Sequence, residues 1–129
     1  MVGGIVTIPA AVVHEQIGRC LSESGADAIK VGMLGSAEIA QSVFDTLAEK
    51  AKRIPLVVDP VMVATSGAVL ADDGVVDGLK TAFFPRATLI TPNLPEATRL
   101  CRIALDTGDD LLRAGAILLA LGPQAVLIK

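Results

Sequence analysis

Asn93 and Glu96 stand three residues apart in ITPNLPEA (90–97). That spacing suits a helix N-terminus, with the Asn side chain as cap and the Glu reaching back from the third helical position. Placed at the mouth of a parallel sheet, the same two groups could hold a hydrated magnesium ion against nucleotide phosphates. Asp59 follows the apolar run PLVV, Thr91 follows ATLI and Lys129 follows AVLI. Each therefore stands at the carboxyl end of an expected strand, the edge along which open α/β sheets bind ligands. A cation and carboxylates gathered there fit phosphoryl transfer, in which a protein mainly positions groups and neutralises charge. Polar residues end most strands, so Asp59 also reads as a turn residue before Pro60. Neither GxxxxGK-S/T nor GxGxxG occurs in the chain.

The elements that must position these groups follow from periodicity. Pro9 to Ser24 carries Val13, Ile17, Cys20, Leu21 and Ser24 at helical spacing, with Pro9 at the start and Gly25 at the stop. Ala26 to Leu34 is a β-branched run closed by Gly35, hence a strand. Ser36 caps a helix whose apolar face is Ala40, Val43, Phe44, Leu47, Ala48 and Ala51. Ile54 to Val58 is a second strand, and a loop with Ser66-Gly67 at its tip follows. Asp72 or Asp73 opens a helix bearing Val75, Val76, Leu79 and Phe83 and ended by Pro85. Thr88 to Thr91 is a third strand, and Asn93 to about Ile103 a helix. Asp109 or Asp110 caps a helix through Leu121 that Gly122-Pro123 stops. Ala125 to Lys129 is a fourth strand. Strands alternating with helical stretches of about ten to sixteen residues predict βαβ units and a parallel sheet.

Composition sets bounds on function. The chain has 129 residues, 52% of them hydrophobic, with a mean hydropathy of +0.62. One domain of strands buried on both faces accounts for this, or a portion of a larger sheet. No apolar run approaches the roughly 20 residues that span a bilayer, and MVGGIVTIP has no basic export signature. Net charge is −3, basic residues are scattered, and three Phe are the only aromatics. A nucleic-acid surface needs a basic stripe, often with stacking rings, so no nucleic-acid partner is expected. Cys20 and Cys101 lie far apart with one His in the chain, which excludes a zinc–thiolate site. Both read as buried packing residues, and unpaired thiols without an export signal point to the cytoplasm. Met33 reads as core, Lys30 as a partly buried strand cation with either a partner or a snorkelling stem, and His14 as structural.

Four segments carry a resemblance: KVGMLGSAEI (30–39), PLVVDPVMVATSG (55–67), ATLITPNLPEA (87–97) and AILLALGPQAVLIK (116–129). Together they resemble hydroxymethylpyrimidine/phosphomethylpyrimidine kinases of thiamin biosynthesis, members of the ribokinase-like superfamily with pyridoxal kinases as near relatives. The match runs in order from about residue 9 to 129. It implies a three-layer α/β/α fold with a mostly parallel sheet. It further implies ATP and Mg²⁺ as cofactors and a small pyrimidine as acceptor, phosphorylated first at its hydroxymethyl group and then at its phosphate. By motif, Asn93 and Glu96 match the family's N-x-x-E, which orders Mg²⁺ and its waters. Asp59 matches the strand-end acid, with Thr91 and Lys129 on the nucleotide and phosphate side. Met33 matches the methionine lining the pyrimidine pocket, and Val61 or Val63 its apolar wall. Spacing alone leaves Asn93/Glu96 between cap and phosphate site; resemblance makes the pair both.

The chain also departs from the family. Met1 to Ile8 shows neither the AGSD-type loop nor the Gln-bearing segment that bind the pyrimidine, and the GTGCT-like anion-hole turn with its Cys is missing. Cys20 and Cys101 stand at non-matching positions, so no catalytic residue is assigned. The expectation is a single partial kinase domain over 1–129, truncated at both ends, inactive alone and prone to dimerise or self-associate through an uncovered sheet edge. A pyridoxal kinase-type activity and a non-catalytic nucleotide-binding remnant are the alternatives.

Overall fold

The computed structural model describes residues 5–129. The opening segment, Met1 to Ile8, lies outside the described residues over 1–4. Four parallel strands, β1 (Ile29–Val31), β2 (Leu56–Val58), β3 (Leu89–Ile90) and β4 (Ala125–Val126), form one sheet in the order β1-β2-β3-β4. Register pairs Lys30 with Val57, Val57 with Leu89, and Leu89 with Ala125. Every connection contains helix: α2 (Ala37–Lys50) between β1 and β2, α3 (Asp73–Gly78) to α4 (Phe84–Arg86) before β3, and α5 (Leu94–Cys101) with α6 (Gly108–Leu119) before β4. Helix α1 (Ala10–Glu23) precedes β1 and packs on α2. A short connection cannot join parallel neighbours, so the helical crossovers are what the parallel pairing requires.

Side chains alternate across a strand, and here the alternation divides the sheet sharply. Val31, Leu56, Val58 and Ile90 face the core and are buried, with Val58 and Ile90 at 0% exposure. Lys30, Val57, Leu89 and Ala125 occupy the opposite face, where Lys30 and Ala125 are exposed and the middle pair half-buried. The core is completed by Phe83, Phe84, Leu79, Leu47 and Leu118, and Phe44 meets Phe83 edge-to-face at 5.5 Å.

The strands are shorter than the apolar runs that encode them. Ala26 to Leu34 yields three paired residues, and Ala125 to Lys129 yields two. Backbone bonds nevertheless carry the alignment onward: Leu127 N donates to Ile90 O at 2.9 Å and Lys129 N to Pro92 O at 2.9 Å.

Several local expectations change on inspection. Pro85 does not end its helix; α3 runs through a π-helical turn, Leu79–Phe83, into α4. Pro85 offers no N–H and its ring crowds the carbonyl four residues back, which a wider turn relieves. Thr107, not Asp109 or Asp110, caps α6; its hydroxyl accepts from Asp110 N while the Asp110 carboxylate accepts from Thr107 N at 2.9 Å. Hydrogen bonds from the Thr107 hydroxyl and then from the Asp106 and Thr107 backbone hold the Asp110 carboxyl below its usual value. Because the folded value is depressed, this cap helps at neutral pH and its contribution fades as pH falls through the folded value. Cys20 is exposed rather than packed, and only Cys101 is partly covered, its thiol pushed up by burial. Met33 is 47% exposed and so is not core.

His14 is structural, as expected, through a partner that periodicity did not single out. Its Nδ1 lies 2.7 Å from the hydroxyl of Thr46, which is 0% exposed and itself donates to Ser42 O at 2.7 Å. The hydroxyl proton being committed, Thr46 accepts and His14 Nδ1 carries the hydrogen. This bond ties α1 to α2. Thr46→Val removes both bonds, hands the exposed His14 donor to water and is expected to cost about 1 kcal/mol in urea unfolding.

Candidate active site

Asp59, Thr91 and Lys129 come together at the carboxyl edge of the sheet. Asp59 N continues the β1–β2 ladder by donating to Val31 O at 2.8 Å, and Thr91 N donates to Val58 O at 3.0 Å. Lys129 lies two strands from Asp59, roughly 10 Å of backbone separation. Its side chain crosses the end of β3 and donates to both Asp59 oxygens, at 3.1 and 3.2 Å. Lys30 Nζ approaches the same carboxylate to 3.9 Å. Lys30 thus has the expected partner, but its side chain is largely exposed rather than partly buried. The side chains of Lys30, Lys129 and Asp59 together carry a charge of +1.

Asn93 and Glu96 open α5 as a reciprocal cap. Asn93 Oδ1 accepts from Glu96 N at 2.9 Å, and Glu96 Oε2 accepts from Asn93 N at 2.8 Å. Pro95 near the helix start fits a position whose N–H is unused in any case. Arg102, at φ 57°, closes the helix in the left-handed conformation. Glu96 is 6% exposed, and its second oxygen accepts no hydrogen bond from the described residues. Glu96, Asn93 and Pro95 line a cavity of about 340 Å³ together with Met62 to Thr65 and Arg99. The Met62–Thr65 wall is held by a turn in which Ala64 N donates to Ala68 O and Gly67 N to Ala64 O, both at 2.8 Å, with Gly67 at φ 87°.

The substrate-side expectations divide. Val63 lines the Asn93–Glu96 cavity and is 48% exposed, whereas half-buried Val61 does not line it. Met33 belongs to a separate apolar cavity of about 240 Å³ with Ile5 to Ile8, Val13, Leu34, Gly35 and Ile39. No residue lines both cavities. Arg99 was not singled out by sequence reasoning, although its place one helical turn after Glu96 puts both on one face.

The arrangement places a helix N-terminus and a carboxylate oxygen without a partner among the described residues at one cavity, where they can meet an anion carrying a divalent metal. The Asp59–Lys129 pair sits at the strand edge, outside that cavity's lining. Among the described residues no cluster of three or more His, Cys, Asp or Glu could hold a metal directly. The donor set still suits Mg²⁺, which keeps several waters and binds through one or two carboxylates plus phosphates.

The sequence model of phosphomethylpyrimidine kinase matches residues 1–129. The chain belongs to the phosphomethylpyrimidine kinase family. A thiamine biosynthesis bifunctional protein of Geobacter sulfurreducens is 42% identical over 99% of this chain and 26% of its own length. A hydroxymethylpyrimidine/phosphomethylpyrimidine kinase of Streptomyces coelicolor is 38% identical over 99% of this chain and 47% of its own. The chain therefore spans about half the length of such kinases. Among solved structures, a phosphomethylpyrimidine kinase of Clostridium difficile superposes with a TM-score of 0.87 at 34% identity, covering 98% of this chain and 55% of that one. A pyridoxal kinase of Staphylococcus aureus, in complex with AMP-PCP and pyridoxal, gives 0.82 at 33% identity over 98% and 44%. The fold is that of these ribokinase-like kinases, and in this chain it is built on a four-stranded parallel sheet. No helix among the described residues is long and apolar enough to cross a membrane.

Proposed function

We propose that this chain carries part of the phosphate-handling machinery of a cytoplasmic kinase that transfers phosphate from ATP to 4-amino-5-hydroxymethyl-2-methylpyrimidine and then to its monophosphate. The observation that carries the reading is Glu96: a largely buried side chain that spends one oxygen on the helix cap and leaves the other, still open to solvent, without a partner among the described residues in a cavity it lines. A cap alone needs one oxygen. Family membership supplies the reaction class, and the strand-edge charges supply a reason for the site's place.

In this reading Glu96 and Asn93 hold the waters of Mg²⁺, which when bound neutralises charge on the γ-phosphate. The α5 N-terminus adds positive potential toward the same phosphates. Lys129 takes phosphate oxygens, and Asp59 anchors its ammonium; with both oxygens accepting from Lys129, Asp59 serves as an orienting group rather than a proton acceptor. Thr91 holds the register that sets Asp59 beside Lys129. Val61, Val63 and Met33 are assigned to the pyrimidine side, Val63 within the phosphate cavity and Met33 at the second, apolar one.

A pyridoxal kinase-type activity is the second reading, supported by the superposition on kinases solved with pyridoxal. The test is Mg²⁺-dependent transfer from ATP to the hydroxymethylpyrimidine, with pyridoxal as competing acceptor, in a full-length kinase that carries these motifs. Preference for the hydroxymethylpyrimidine is expected. Transfer to pyridoxal alone would establish the second reading. ATP binding with transfer to neither acceptor in that full-length kinase would favour a non-catalytic nucleotide-binding role.

A further inference from the structure

We propose that Arg99 is an anion-binding residue of the Asn93–Glu96 cavity. Its guanidinium would take non-bridging oxygens of a magnesium-bound polyphosphate, opposite the Glu96 carboxylate. The inference deepens the function proposed above and rests on it.

Arg99 lies three residues after Glu96 on α5, so both side chains project from one helix face, and both line the same cavity. The cavity thus has an acidic and a basic residue in its wall. A bare anion would be repelled by Glu96 and a bare cation by Arg99. A phosphate chain with its metal presents both signs and satisfies both groups. The fork of an arginine matches two phosphate oxygens at once, which gives geometry as well as charge.

Arg99 is loosely held where it now lies. Nη1 donates to Ala71 O at 3.4 Å and Nη2 to Asp73 Oδ1 at 3.2 Å. The Asp73 side chain is 99% exposed, and ion pairs with such partners are weak. Exchanging Asp73 for a ligand phosphate therefore costs little. Arg99 also lines the neighbouring polar cavity of about 470 Å³, with Lys80, Arg102, Asp73 and Asp77. Three cations against two carboxylates leave that side at +1, which keeps the surroundings of Arg99 attractive to an anion. Glu96 offers the first cavity an oxygen with no partner among the described residues, a place for a metal-bound water of such a ligand.

The test is calorimetric binding of magnesium tripolyphosphate to the 129-residue chain and to Arg99→Met, Arg99→Lys, Asp73→Asn and Glu96→Gln variants. Arg99→Met should weaken binding about tenfold, since hydrogen bonds between charged partners are the strong ones. Arg99→Lys should recover part of the loss, and circular dichroism should be unchanged throughout. Asp73→Asn removes the competing carboxylate and should leave binding equal or tighter. Binding to Arg99→Met at the wild-type affinity overturns the inference. So does a loss in Asp73→Asn as large as in Arg99→Met, because Arg99 would then act as a strut for the Ala71–Asp73 segment. If Glu96→Gln abolishes binding while Arg99→Met does not, the proposed function stands without Arg99. If the wild-type chain binds no magnesium tripolyphosphate, both fall.

Discussion

In a full-length kinase that carries these motifs, Glu96→Gln is expected to lower Mg²⁺-dependent phosphoryl transfer about 10²–10³-fold, the range seen when one group stabilising transition-state charge is removed. The fold should survive. The side chain accepts the Asn93 N–H through one oxygen, and a glutamine carbonyl can do the same. What glutamine lacks is the charge on the other oxygen, the one free to meet a metal-bound water. Glu96→Ala separates the roles from the other direction: it should lose the transfer rate and also about 1 kcal/mol of stability, because the cap goes with the charge. The measurements are transfer rate against Mg²⁺ concentration and urea midpoints for both variants. Unchanged rate and Mg²⁺ dependence in Glu96→Gln would reduce Glu96 to a cap.

Gly122→Ala should be the most destabilising small substitution outside the core, at about 3 kcal/mol and a drop of about 10 °C in Tm. Gly122 sits at φ 110°, a conformation that side chains with a Cβ strongly disfavour. Space is short as well: a Cβ there would lie 2.7 Å from Pro85 Cα, a backbone atom that cannot swing aside. The contact matters because it joins the end of α6 to the Pro85 turn just before β3. Gln124 N then donates to Ala87 O at 3.1 Å, which starts the β3–β4 pairing. Gly25→Ala provides the control, since Gly25 also has positive φ, at 69°, but nothing lies within 4 Å of its Cβ position. It should cost about 1 kcal/mol, the backbone penalty alone. Equal losses in the two variants would show that the Pro85 contact relaxes freely.

Where the sequence was legible, a local pattern and a tertiary demand coincided. The helix starts at Ser36, Asp72 and Asn93 follow from side chains that bond backbone three residues on, and all three do so. The strand-end placement of Asp59, Thr91 and Lys129 follows from apolar runs ending in polar residues on a sheet whose strands all point one way. Failures arose where periodicity is blind. Cys20 fits a helical apolar pattern, yet α1 packs with Val13, Ile17 and Leu21 and leaves Cys20 outside. Met33 is apolar but lies in the turn after β1, where nothing covers it completely. The Thr107 cap was passed over because the two aspartates behind it are also good cap residues. Thr46 is polar by type and wholly buried because His14 and Ser42 satisfy it. Arg99 was invisible for a different reason: its significance depends on a cavity wall contributed by the Met62–Thr65 loop, about thirty residues away in sequence.

The order β1-β2-β3-β4 has a consequence for how the chain acquires its shape. Many parallel sheets place their first strand in the middle, so that later strands must find it from a distance. Among the described strands, β2, β3 and β4 each pair with the strand synthesised just before, after a helical excursion. Every step of assembly closes one loop and no more, which limits the entropy lost before new pairing compensates. A chain emerging from its N-terminal end can therefore lay down β1 and α2, dock β2, and continue, always with a finished strand waiting as template. Such a sheet grows as a ladder is extended rather than as a knot is tied, and its half-built stages are shorter versions of the final product.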